Sequence, residues 1–347
     1  MSRSRAVAIV HWVWERGDRT SAWGIRLLLL PLSLIYYLVM VMRAAVARGG
    51  ERLPLPSVSV GNLTVGGAGK TPLAAWIAEW LVRHQQRPAI LLRGYGGDEP
   101  LVHARLVPQA LVVANPDRVR GAREALRAGA SILVLDDAYQ TLRVSRDLNI
   151  ALLAVEQSRL SPFPLPAGPW RERWGALGRA DAIIVTRKGW LPGYAAKLAG
   201  HLARSWPTTP VAIVHLALTG FEGLRSGQSF KGETLAGRRV LAAAGIADPR
   251  SFAIQLEELT GQGGAVQLVT YQDHHAYTDA DIAALLNAAA TADYVVVTEK
   301  DAVKLRSRWP ADAREPLVAT LGVRWERGQQ AIEALLVTLT DSSTPEI

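Results

Sequence analysis

The chain has 347 residues, 49% apolar and 20% charged, with a formal net charge of +8 and no cysteine. This is globular composition, long enough for one large or two moderate cores. The missing thiol excludes a disulfide framework, a thiolate metal site and a cysteine nucleophile. The charge is uneven, since residues 1–52 hold eight arginines against Glu15, Asp18 and Glu51. The basic excess is an N-terminal property and argues for anionic lipid as a partner over nucleic acid.

In chain order, the first feature is an uncharged apolar run at 27–42, bracketed by Arg26 and Arg43 and preceded by Trp12, Trp14 and Trp23. Sixteen residues rise about 24 Å as a helix, short of the roughly 30 Å hydrocarbon core, and Pro31 interrupts them. A cleaved signal peptide fits poorly, and the expectation is a monotopic helix lying in the membrane interface, with tryptophans at headgroup depth, ahead of a true span or a core helix.

After a proline-rich linker, residues 57–60 read as a short buried strand entering a glycine loop, and Leu73, Trp76, Ile77, Trp80 and Leu81 recur at helical spacing beyond it. Further strand-like runs fall at 89–92, 111–113, 132–135, 150–155 and 182–186, with a helical pattern at 118–128. A second set follows 210, with strands at 211–216, 239–243, 266–270 and 294–298 and helices at 252–259 and 279–290. The alternation predicts a P-loop NTPase-type α/β fold: a parallel sheet with helices on both faces, plus a smaller α/β second lobe and the N-terminal membrane-associated helix. The expected boundaries are 1–52, 53–208, 209–340 and a polar tail at 341–347.

The loop TVGGAGKTP carries the first chemistry. The strict phosphate-loop pattern wants glycine where Thr64 stands, and the GKGGVGKT variant has an extra lysine where Val65 stands. Gly66, Gly67 and Gly69 nevertheless supply the backbone freedom that lets N–H groups converge on an anion. Lys70 reaches the β- and γ-phosphates, Thr71 offers a hydroxyl to Mg²⁺, and a following helix aims its positive end at the same point. The predicted nucleotide cradle is therefore Thr64, Val65, Gly66, Gly67, Ala68, Gly69, Lys70 and Thr71, and it calls for ATP or GTP with Mg²⁺. An apolar strand ending in Asp136 and Asp137 is the usual position of a metal-holding acid.

Candidates for a base that takes a proton from the phosphoryl acceptor are Asp98 in GDEP, His274 or His275 in YQDHHAYT, and Glu172 in PAGPWRE. A nucleotide-hydrolysing switch protein at the membrane, with a different acceptor or none, and a non-enzymatic adaptor are the competing readings. The first leaves the apolar N-terminus and DHHAYT unexplained, and an adaptor need not keep Lys70, Thr71 and Asp136.

Taken together, RLPLPSVSVGNLTVGGAGKTP, RGYGG, GDEP, VLDDAYQ, RDL, PAGPWRE, AGIADP, DHHAYT and TEKDAVKL, in this order over about 31–305, resemble the tetraacyldisaccharide 4′-kinases of lipid A biosynthesis. The resemblance implies transfer of the ATP γ-phosphoryl to the 4′-hydroxyl of an acylated glucosamine disaccharide 1-phosphate at the cytoplasmic face of a bacterial inner membrane. It implies no nucleic-acid partner and no obligate protein partner. It places Lys70 and Thr71 at the phosphates and Mg²⁺, Asp136, Asp137 and Glu172 around the metal, and Asp98 with His274 at the acceptor proton, with His275 a rival. The chain departs from the family pattern where RGYGG and GDEP share Gly97, so that an intervening segment is missing, and at Ala138 and Thr141, where glycine and histidine are usual.

Overall fold

The computed structural model describes residues 13–14, 20–47, 50–94, 98–189, 192–273 and 275–341. In chain order its elements are α1 (Thr20–Val46), β1 (Glu51–Arg52), β2 (Ser57–Asn62), α2 (Lys70–Arg83), β3 (Pro88–Leu92), α3 (Glu99–Leu106), β4 (Leu111–Ala114), α4 (Arg118–Arg127), β5 (Ile132–Asp136), β6 (Val144–Ser145), β7 (Leu148–Ala154), α5 (Val155–Ser158) and β8 (Ala182–Arg187). There follow α6 (Pro192–Ser205), β9 (Val211–Gly223), β10 (Ser229–Phe230), β11 (Arg239–Ala244), α7 (Pro249–Thr260), β12 (Ala265–Thr270), α8 (Asp279–Ala289), β13 (Tyr294–Thr298), α9 (Glu299–Leu305), β14 (Leu317–Arg327) and α10 (Gln329–Asp341). The chain forms two compact units, one of Met1–Arg93, Val107–His215 and Trp325–Ile347, the other of Gly94–Leu106 and Leu216–Arg324.

The first unit is a sheet in the order β4-β3-β5-β2-β7-β8-β9, parallel throughout. Strands β2, β3, β5 and β7 are buried at every position, as apolar runs covered on both faces must be. On one face Leu63, Tyr139, Leu153 and Val185 pack with Ala195, Ala199 and Leu202 of α6. On the other, Leu91, Leu133 and Leu135 pack with Ala122 and Ala125 of α4. The register pairs Val60 of β2 with Asp136 of β5. The loop leaving β2 and the acids ending β5 therefore emerge side by side at the carboxyl edge, where chain order reverses across β2, the usual ligand position in such sheets.

The second unit holds the parallel strands β12-β11-β13-β14, with the second half of β9 beside β14 and β10 antiparallel to β9. Leu241, Val295, Val297 and Leu285 pack on one face, and Val240, Val296, Phe252 and Leu256 on the other.

Helix α1 corrects the expectation drawn from the apolar run. It spans 27 residues, continuing through Pro31 and past both flanking arginines, so it is about 40 Å long and the length argument against a crossing fails. Proline removes one helical hydrogen bond, which the leucine-rich turns around it outweigh. By length and composition its 23–46 portion is apolar enough to cross a membrane, with mean hydropathy 2.1 and 17% of it buried. The buried face carries Arg26 and Ser33. At mid-helix the Ser33 hydroxyl donates to the Pro164 carbonyl and accepts from the Ala167 N–H, both at 3.0 Å.

Candidate active site

The glycine loop after β2 is clamped at three points. Gly66 and Gly69 take left-handed φ values of 116° and 87°, open to glycine without strain. The Val65 N–H donates to the Pro169 carbonyl at 2.8 Å. The Thr64 hydroxyl donates to Gln157 of α5, whose amide lies where a side chain on Gly66 would stand. The Thr186 hydroxyl, at the end of β8, donates to the Ala68 carbonyl at 3.0 Å. Gly69 caps α2 without a side-chain hydrogen bond, and the first turn of α2 contains no acid. A fixed, concave backbone ending in an uncapped helix N-terminus is built for an anion supplied from outside.

Around this loop a ring of polar groups closes. Lys70 donates from Nζ to Asn62 Oδ1 at 3.2 Å and lies 3.6 Å from Asp137 Oδ1. Asp137, at the unusual φ of 51° for a residue with a side chain, also receives Arg171 at 3.4 Å. Arg171 reaches Gln140 Oε1, and Gln140 returns to the Asn62 carbonyl at 2.7 Å. Asp136 is buried, and its carbonyl accepts from the guanidinium of Arg118. Glu172 gives one oxygen to Arg179 at 2.8 Å, while its buried Oε1 has no hydrogen-bond partner. Thr71 is the second residue of α2.

Among the described residues no three His, Asp or Glu side chains gather as a metal-binding group, so Asp136, Asp137 and Glu172 are not assembled into one set. The two guanidinium groups account for this by drawing Asp137 and Glu172 to themselves. Mg²⁺ on a nucleotide takes one or two carboxylates and completes its shell with phosphate oxygens and water. The hydroxyl of Thr71, the acids ending β5 and the orphaned oxygen of Glu172 are hard oxygen donors that fit such an ion.

Asp98 belongs to the second unit. It is 3% exposed. Its carbonyl accepts from Val102 in α3, and its carboxylate lies 3.2 Å from Lys304 Nζ of α9. His274 lies outside the described residues. His275, its rival in sequence, is committed to structure: its ring bonds Asp281 at 3.0 Å and stacks on Tyr271. Asp281 in turn forms the capping box of α8 with Thr278, and those Thr278 bonds, with a smaller contribution from His275, hold its carboxyl below the usual carboxylate range. The buried Asp301 accepts from Tyr277, Thr298 and the Gly245 N–H, tying the segment after His275 to the loop after β11.

Glu299, one residue into α9, has a buried carboxyl oxygen without a hydrogen-bond partner. Burial pushes its carboxyl up to about 7, and Arg105 only partly offsets this. The unfolded chain releases this proton near 4.5, so the native state is progressively penalised as pH rises from there through 7. Glu299→Gln is therefore expected to raise stability at pH 8 by about 1–3 kcal/mol and to have little effect at pH 4. Denaturant unfolding at the two pH values checks it, and an equal effect at both would contradict the burial argument.

The sequence reading missed Asn62, Gln140, Gln157, Arg171 and Lys304 as neighbours of candidate residues. Arg171, Gln140 and Lys304 lie inside quoted motifs, whereas nothing local marks Gln157, which reaches the loop over 93 residues of chain.

Comparison with known proteins bears on the same residues. The family model for tetraacyldisaccharide-1-P 4′-kinase matches residues 25–98 and 96–340. The two stretches meet where RGYGG and GDEP share Gly97. A tetraacyldisaccharide 4′-kinase of Pelobacter propionicus is 39% identical over 326 residues, covering 85% of this chain and 87% of that protein. One from Geobacter sulfurreducens is 37% identical over 308 residues, covering 80% and 83%. The crystal structure of LpxK from Aquifex aeolicus in complex with ATP superposes with a TM-score of 0.70 at 27% identity, covering 91% of this chain and 99% of that one. On matches of this extent, the chain belongs to the tetraacyldisaccharide-1-P 4′-kinase family.

Proposed function

We propose that this kinase transfers the γ-phosphoryl of ATP to the 4′-hydroxyl of a tetraacylated glucosamine disaccharide 1-phosphate. The observation that carries the reading is the clamped glycine loop ending in an uncapped helix with Lys70 at its head. The N–H groups opening α2 and the ammonium of Lys70 hold the β- and γ-phosphates, Lys70 exchanging its contact with Asp137 for a phosphate oxygen. Thr71, Asp136 and Asp137, with Glu172 behind them, would hold Mg²⁺, which when bound neutralises and orients the phosphates. Asp98, paired with His274, accepts the proton of the 4′-hydroxyl. The sugar oxygen bonds to phosphorus as the bond to the β–γ bridging oxygen breaks, and the electron pair leaves on ADP. His275 takes no part, since its ring serves the cap of α8.

This chemistry suits the cytoplasmic face of a bacterial inner membrane, where ATP is present and the acylated acceptor stays in the bilayer. Helix α1 lies along that surface, because Ser33 at its midpoint is fastened to the loop at 164–167. A crossing helix would draw the irregular backbone of this loop, with its polar carbonyl and N–H groups, into hydrocarbon. Leu28 and Ile35, 79% and 58% exposed, face the lipid. The double variant Leu28→Glu, Ile35→Glu is expected to weaken sedimentation with anionic vesicles by about 100-fold or more, from two lost side-chain burials of about 1.5–3 kcal/mol each. Unchanged binding would contradict the membrane face.

The function is tested by ADP release with and without acylated disaccharide 1-phosphate in detergent. Transfer predicts turnover that depends on the acceptor; equal turnover without it would instead mark a nucleotide hydrolase.

A further inference from the structure

The motif TEKDAVKL folds as the start of α9, and its two lysines reach the start of α3. Asp301 pins the helix: its buried carboxylate accepts from Thr298, Tyr277 and the Gly245 N–H, while Ala302 and Leu305 sink into the core. That register leaves Lys300 and Lys304, one turn apart, on one side of α9. Lys300 lies 3.9 Å from Glu99, and Lys304 Nζ lies 3.2 Å from Asp98 Oδ2. The two pairs differ in depth. The side chains of Lys300 and Glu99 are 27% and 32% exposed, whereas those of Lys304 and Asp98 are 18% and 2% exposed. The Lys304 nitrogen is itself buried and makes no hydrogen bond, so its contact with Asp98 is ionic. An ammonium and a carboxylate buried together offset each other's lost hydration.

We infer that Lys304 is a positioning residue for the base, holding the Asp98 carboxylate ionised and in place while it is shut away from water. The inference rests on Asp98 taking the proton of the 4′-hydroxyl. A carboxyl group removed from water shifts toward its neutral form, which accepts no proton, and an opposite charge within about 4 Å reverses that shift. Lys304 gives up nothing in the step: the proton passes from the acceptor oxygen to Asp98, and the ammonium stays charged. Around the pair stand Glu99, His103 and Arg105 of α3, Glu222 of β9, and Glu299 and Lys300 of α9. Arg105 pairs with Glu222 at 2.8 Å and Lys300 faces Glu99, so these two cations are engaged with other carboxylates.

The pH dependence of kcat, with a thermal melt at each pH, tests it on the full chain. Loss of the cation favours the protonated carboxyl, so Lys304→Gln is expected to move the acid limb of the profile up by about 1–3 pH units. At pH 7 its kcat falls about tenfold or more, and above the limb it returns to within about threefold of wild type. Lys304→Arg keeps the charge, and Lys300→Gln removes a charge one turn away; both leave the limb within about half a unit. Glu299→Gln leaves it there too, which separates the shift from the titration of that buried acid. A loss of kcat equal at every pH marks a merely structural role and would overturn the inference. An unmoved limb in folded Lys304→Gln, or an equal shift in Lys300→Gln or Glu299→Gln, would do the same. If Lys304→Gln does not fold, Lys304→Arg decides: a limb held in place supports the role of the charge, and one moved by about a unit or more overturns it. If Asp98→Asn loses kcat while Lys304→Gln keeps the wild-type profile, only the role of Lys304 falls. If Asp98→Asn keeps kcat, the reading of Asp98 as the base falls, and this inference with it.

Discussion

Lys70→Ala is expected to lower kcat/KM for phosphoryl transfer by about 1,000-fold or more, with weaker ATP binding alongside. The ammonium heads α2, where no side chain caps the helix and no acid occupies the first turn, and its contacts with Asn62 and Asp137 are ones it can exchange for a phosphate oxygen. Removing it takes away both ground-state charge and the charge that stabilises the departing phosphoryl, a loss typical of a preorganised electrostatic donor in phosphoryl transfer. The fold should survive, because Asp137 keeps Arg171 and the loop keeps its clamps at Pro169, Gln157 and Thr186. Steady-state kinetics with a thermal melt separate the effects. Retention of a tenth of wild-type activity in a folded variant would contradict the role given to Lys70.

Asp98→Asn is expected to lower kcat by about 100- to 10,000-fold, the range for removing a positioned general base, while Kd for ATP changes less than about threefold. Asparagine matches the shape of the aspartate but accepts no proton. The buried contact with Lys304 loses its charge, so the melting temperature is measured beside the kinetics. A fall in stability with unaltered kcat would show that Asp98 serves only to join α3 to α9.

Much of the sheet was legible because its strands are short runs of valine, isoleucine and leucine between glycine and polar turns: β13 is met at both ends, and β2, β3, β5 and β8 within two residues. Strand β14 was not seen, since LVATLGVRWER mixes a glycine with charged residues and its later positions are half-exposed. Helix α1 outruns its apolar stretch because flanking charges and a proline, ordinary helix limits in a sequence, do not end it here: Arg26 turns into a buried contact with the Val13 carbonyl. At the candidate site, glycine spacing and the paired acids were readable locally. The contacts that fix them were not: Thr186 meets Ala68 across 118 residues. The same holds for Glu299, which reads as an ordinary solvated helix start in TEKD until the surrounding chain buries its carboxyl. For His275 the signal was present, as Thr278 and Asp281 carry capping-box spacing, and that spacing explains why this imidazole is occupied.

Phosphoryl transfer to the lipid is measured by incubating the full chain with γ-labelled ATP, Mg²⁺ and tetraacylated disaccharide 1-phosphate and locating the label. The expected result is label in the lipid fraction as a new monoester on the 4′-oxygen, absent with Lys70→Ala. Label released only as inorganic phosphate, or attached to any other oxygen of the acceptor, would contradict it.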